Sequence, residues 1–180
     1  MGLLINSTSL ILWQDVIKYA ENRCSITLEE ELETYLISLL VRYTNKPDIA
    51  KHIVATAFLE ALQKREPHQR HLCLQHVGDQ CLLFSGLFPR IIEKRHVKIS
   101  YFVDLGRSAY AALSNKTNDL YGSLAIQFVV LMDVLQSIRH SSDLLPLEAY
   151  DQWAEVGSRR ALKILQEYTA QALPIKNGKH

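Results

Sequence analysis

LAIQFVVLMDVL, residues 124–135, is the most apolar run in the chain, and only Gln127 and Asp133 interrupt it. A helix needs about 20 apolar residues to cross the hydrocarbon layer of a bilayer, so this run is too short to span one. It also lacks the period-two alternation of a half-buried strand. Drawn as a helix over residues 118–140, it places Leu124, Ile126, Phe128, Val129, Val130, Leu131 and Met132 on nearly every side. A helix that is apolar all round is expected to be buried. The run therefore predicts the central helix of an all-α bundle.

Helical stripes continue outward in both directions. Leu10, Trp13, Ile17, Ala20 and Cys24 mark a first helix. Thr27 and Glu30 have capping-box spacing and open a second, striped by Leu28, Leu32, Tyr35, Leu36, Leu39 and Tyr43. Pro47, Pro67 and Pro146 each suit the first turn of a helix, where the N–H that proline lacks would have no partner anyway. The third helix carries Ile53, Val54, Ala57, Phe58, Ala61 and Leu62, and the fourth runs from Pro67 to about Phe88, before Pro89. A basic connector occupies residues 90–98. A fifth helix follows at about 100–115, then the central sixth helix, and a last helix striped by Tyr150, Trp153, Gly157, Ala161, Ile164 and Tyr168. The expectation is about seven helices, mostly antiparallel neighbours, in one domain over residues 1–172, with a flexible tail at 173–180.

The composition excludes several function classes. With 20 basic and 19 acidic residues, a net charge of +1 gives no global attraction to nucleic acid or anionic membrane. Cys24, Cys73 and Cys81 are odd in number and form no CxxC pair, which suits core thiols in a reducing compartment. Met1-Gly2-Leu3-Leu4-Ile5-Asn6 lacks the basic segment and cleavage site of a signal peptide. Asn6 also stands where myristoylation needs Ser or Thr. A cytoplasmic location is expected, with no membrane contact.

Five of the seven glycines (Gly78, Gly86, Gly106, Gly122 and Gly157) fall within or near the ends of predicted helices. A glycine inside a helix costs about 1 kcal/mol relative to alanine, so each needs a reason. Close helix crossing is one reason. The floor of a ligand pocket, at Gly78, Gly86 and Gly106, is another.

A polar stripe accompanies them. His76 and Asp79 are three apart on the fourth helix, as are Tyr101, Asp104 and Arg107 on the fifth, and residues at that spacing share a face. Folding these helices about the connector puts Asp79 level with Arg107 and Ser108, which predicts a salt bridge or hydrogen bond between Asp79 and Arg107 or its neighbours. The five residues are candidates either for a buried polar network or for a ligand site.

Other chemistry is poorly supported. Glu93 and His96 form a single ExxH, where a di-iron bundle needs two. His68 and His71 have no acidic or thiol ligand in register, and Cys73 and Cys81 are two turns apart. No metal or cofactor is expected. The chain contains no GxSxG, phosphate loop or GxGxxG, and Ser85-Gly86 is a pair of small residues only. Basic residues gather at Lys64, Arg65 and Arg70, at Arg90, Lys94, Arg95 and Lys98, and at Arg159, Arg160 and Lys163, without the interleaved aromatics of a nucleic-acid surface.

The stretch VGDQCLLFSGLFP at 77–89, followed by YFVDLGRSAY at 101–110, resembles a family of uncharacterised bacterial proteins with the signature VGDxxLFxSGxF and then Y[FY]xxxGxxAY. The resemblance implies a bacterial origin and no activity. It points to the same surface of the fourth and fifth helices.

The sequence leans away from an enzyme without deciding the matter. The leading expectation is a helical protein that acts through protein contacts, as a homodimer or with another protein. The alternatives are a small-molecule pocket or enzyme between the fourth, fifth and sixth helices, and a weak nucleic-acid binder using the 90–98 connector.

Overall fold

The computed structural model describes residues 2–45, 54–89, 97–115, 119–139 and 144–172, and among these it is all-helical, with no strand. Nine helices follow in order: α1 (Gly2–Cys24), α2 (Glu30–Asn45), α3 (Val54–Gln63), α4 (Pro67–Leu87), α5 (Ile99–Leu113), α6 (Leu120–Ile126), α7 (Phe128–Gln136), α8 (Pro146–Val156) and α9 (Arg159–Ala172). Pro47, residues 90–96 with the Glu93/His96 pair, and the 173–180 tail lie outside the described residues. No helix among the described residues is long and apolar enough to cross a membrane.

Among the described residues nine helices stand where seven were expected, because two predicted helices are each divided. The 118–140 segment is distorted at Gln127, whose φ of −94° and ψ of 15° leave the α-helical region. Hydrogen bonding nevertheless continues through it, from Gln127 N–H to Ser123 O and from Leu131 N–H to Gln127 O. The last segment turns at Gly157, whose φ of 73° and ψ of 28° are left-handed, the conformation that ends many helices and that glycine adopts without steric cost. Ser158 then caps the next helix, its Oγ accepting from Ala161 N–H at 3.0 Å.

α7 occupies the centre, with Phe128, Leu131, Met132, Val134 and Leu135 fully buried. The expectation of burial on every side fails one turn earlier, where Ile126 is 72% exposed at the end of α6. The main core joins α1, α2, α4, α5 and α7 through residues such as Ile17, Leu36, Leu82, Val103 and Leu135, and Ala61 adds α3. Leu144, Ala149 and Ala161 form a second, smaller core between α8 and α9.

Charged side chains close several helix ends. Asp119 caps α6, its carboxylate accepting from Gly122 N–H and Asn115 N–H, both at 2.7 Å. Arg23 reaches across to donate to the carbonyls of Ser137 and Arg139 just beyond α7, placing a cation where the helix dipole is negative. Between α1 and α2, Glu21 accepts from Leu28 N–H at 2.7 Å, and α2 begins at Glu30 rather than directly after Thr27.

Three glycines set the helix spacing. A Cβ built on Gly78 would lie 2.5 Å from the Tyr110 ring, one on Gly86 2.5 Å from Leu135 Cβ, and one on Gly106 2.5 Å from the Phe128 ring. These are the close crossings that the sequence offered as one reading of the glycines. Gly106→Ala should therefore cost about 1–3 kcal/mol through overpacking, read as a lowered denaturant midpoint. Gly157→Ala meets no neighbour within 4 Å and should lose only the roughly 1–2 kcal/mol of a left-handed non-glycine residue. A Gly106→Ala protein as stable as the parent would rule out close crossing there.

Candidate functional site

Asp79 lies in the buried second half of α4 and is only 4% exposed. A carboxylate withdrawn from water to that extent is costly unless it is hydrogen-bonded or paired. Three side chains from two other helices meet it. From α2, Tyr35 donates its hydroxyl to Oδ1 at 2.6 Å, and Arg42 lies 3.2 Å from Oδ2. From α5, Tyr110 donates to Oδ1 at 2.8 Å. Tyr35 and Arg42 are seven residues apart, two turns on one face of α2, which brings both to the same carboxylate.

Tyr110 reaches Asp79 because the preceding residue on α4 is Gly78, which leaves room for its ring. Around this centre the rings pack edge to face: Tyr35 and Tyr110 at 6.2 Å between centroids, and Tyr35 and Tyr121 at 6.5 Å. His71 meets Tyr121 Oη at 3.2 Å, and Gln75 Nε2 donates to Tyr35 Oη at 3.4 Å. The result is a polar knot with an aromatic rim, tying α2, α4 and α5 and touching α6.

Burial holds the Asp79 carboxyl above the ordinary value of 3.8, against the opposing pull of Tyr35, Arg42 and Tyr110. Burial and the adjacent carboxylate together raise the Tyr35 and Tyr110 phenols far out of the neutral range, so both remain hydroxyl donors. The Cys81 thiol, buried beside Gly106, is likewise raised by burial, which leaves it a poor nucleophile.

Of the other sequence candidates, His76 acts on Asp79 through its charge, which favours the ionised carboxylate, and Tyr101, Asp104 and Arg107 do not meet it. Tyr101 is 46% exposed, and Asp104, Arg107 and His76 are exposed as well. Of the salt bridge or hydrogen bond expected from Arg107 or its neighbours, the fifth helix supplies the hydrogen bond of Tyr110, one turn on, while the ion pair comes from Arg42 and Arg107 Nε donates to Ala125 O at 3.2 Å. The helix-hairpin register was nearly right, since Tyr110 lies one turn from Arg107. The side of the helix was wrong. α5 turns Val103, Gly106 and Tyr110 inward, and Arg107, rotated about 100° from Gly106, faces α6 instead. A pocket floored by Gly78, Gly86 and Gly106 is likewise not formed, because the rings of Tyr110 and Phe128 and the Leu135 side chain fill those positions.

A second buried carboxylate was not anticipated. Asp133 on α7 accepts from Ser158 Oγ at 2.6 Å and Arg160 N–H at 3.2 Å, so it caps α9 from outside that helix. Arg160 also donates to Gln136 Oε1 at 3.0 Å, and Gln136 donates to Ser85 O at 2.9 Å. The available signal was a lone charge in an apolar helix, which must find donors somewhere. Among the described residues no three His, Cys, Asp or Glu side chains gather as a metal site, and Cys24, Cys73 and Cys81 are free thiols.

No family model matches the chain, and no curated protein or solved structure is significantly similar to it.

Asp79→Ala removes the acceptor of two enclosed hydroxyls and should cost about 2–4 kcal/mol, whereas Asp79→Asn keeps an acceptor and should cost less. The pH dependence has a definite sign. With its native pKa raised, Asp79 makes the folded state bind more protons than the unfolded state between 3.8 and the native value. Its contribution to stability is fully present below 3.8 and is lost as pH rises through the native value. Wild type should therefore gain on Asp79→Asn as pH is lowered through that window. Urea midpoints at a series of pH values would show this, and parallel pH profiles would remove burial as the dominant influence.

Proposed function

We propose that this is a non-enzymatic helical protein that acts by pairing with a second copy of itself through α1 at Leu10, Ile11 and Leu12. The observation that supports the reading is the exposure of three consecutive residues there: Leu10 at 48%, Ile11 at 58% and Leu12 at 59%. Successive helical residues point about 100° apart, so the three cover a wide sector of α1 with apolar surface open to water. Next to them Trp13 packs against the core, and its Nε1 donates to Thr44 Oγ1 at 3.1 Å. Each such side chain gains about 1.5–3 kcal/mol on full burial.

Charge favours a second copy as the partner. No charged side chain occurs from Gly2 to Gln14, and the first is Asp15. A two-fold interface places the same patch on both sides, where charges near the axis would face their like. An uncharged apolar patch avoids that repulsion. In this reading the protein works in a reducing bacterial cytoplasm, in keeping with its free thiols and with the resemblance noted above.

Light scattering on the full chain at tens of micromolar should give twice the 20.6 kDa of one chain. Ile11→Lys and Leu12→Lys should each shift it to monomer with the helical circular dichroism unchanged. A wild-type protein that stays monomeric at that concentration would end the proposal.

A further inference from the structure

α8 buries Ala149 and Gln152, and the rest of its circumference divides into two rows. Counted at about 100° per residue, Pro146, Leu147, Tyr150, Trp153 and Ala154 fall within one sector of about 120°, and all five are exposed. Leu147 is 71% exposed, Tyr150 50% and Trp153 40%, so the large side chains of this strip stand in water. The two rings meet edge to face at 6.0 Å between centroids, and each restricts the other. Glu148, Asp151 and Glu155 form the adjoining row, and α8 has no basic residue.

An exposed apolar strip with a polar border marks an interaction surface. Tyrosine and tryptophan carry much of the binding energy in protein interfaces, whereas bordering charges select the partner. Here the selection is by sign. A second copy that laid the same face opposite would bring the three carboxylates against their like, and nucleic acid or an anionic lipid surface would meet the same repulsion. Lys98, at the start of α5, already pairs with Glu155, so the row accepts a lysine ammonium. A helix with apolar residues on one face and lysine or arginine beside them satisfies both rows at once.

We infer that the exposed strip of α8 docks a basic amphipathic helix of another protein, with the partner's apolar residues on Leu147, Tyr150 and Trp153 and its cations along Glu148 and Asp151. The inference does not rest on the α1 contact, whose apolar residues have no charged border.

The probe is a fluorescently labelled peptide of about 18 residues, with leucines on one helix face and lysines on the other. Its anisotropy should show saturable binding to the full chain with a Kd below about 50 μM. A counterpart with glutamate in place of lysine should bind at least about tenfold more weakly, as should the lysine peptide to Leu147→Ser or to Asp151→Lys. Both substitutions are at exposed positions, so helical circular dichroism should not change. Ile11→Lys should leave peptide binding as it is. The inference is overturned if the lysine peptide does not bind, if the glutamate peptide matches it, or if either α8 variant binds like wild type. Loss of binding in Ile11→Lys would move the contact to α1 and overturn it too. A lower mass by light scattering for Leu147→Ser would show that a second copy covers the strip, with the same result.

Discussion

Three absent side chains determine how near α4 can come to its neighbours. Gly78 and Gly86 on α4, and Gly106 on α5, each let an aromatic ring or a leucine rest against bare backbone. Interiors are packed at the density of organic crystals, so a single methyl at such a crossing forces a shift rather than filling a gap. The polar centre depends on this spacing. Tyr110 reaches Asp79 because its ring lies over Gly78, and Phe128, the first residue of α7, is seated over Gly106. The loss of helix propensity at the three positions is therefore offset by contacts that a larger residue would forbid.

Once the helices are that close, charge inside them must be matched locally. Asp79 and Asp133 meet the demand differently. Asp79 takes two phenol hydroxyls and a half-exposed arginine, so its network joins α2 and α5 to α4. Asp133 takes a serine hydroxyl and a backbone amide, so it fixes where α9 begins. That second tie is needed because α8 and α9 have little core of their own, built on Leu144, Ala149 and Ala161. Buried carboxylates of this kind contribute more to defining which helices meet than to net stability, since their desolvation cancels much of the attraction.

The class of fold was readable because the helical period and the opening prolines are local properties. Breaks in helices were less readable. Gly157 was counted within a stripe, since a glycine in mid-helix and a glycine in the left-handed region look alike until φ is known. Gln127 gave no signal, because its distortion leaves the hydrogen bonds in place. At the polar centre, residue type identified Asp79 as enclosed, and pairing it with the fifth helix was correct. Arg107 was named first because opposite charge was weighted above burial, and the hydrogen bond came from Tyr110 one turn on, while Arg42 lies 37 positions earlier, on a helix that hairpin counting could not place.

The distribution of satisfied and unsatisfied groups also bears on where such a molecule could act. The carboxylates in the deep interior are engaged: Asp79 has three partners, Asp133 two, and the phenols around Asp79 are held protonated by burial. A group engaged in that way has little left to offer a ligand, and reaching it would require separating helices at glycine crossings that have no slack. At the periphery, Leu10, Ile11 and Leu12 on α1 leave apolar surface open to water. An apolar turn free of charge is completed by more apolar surface.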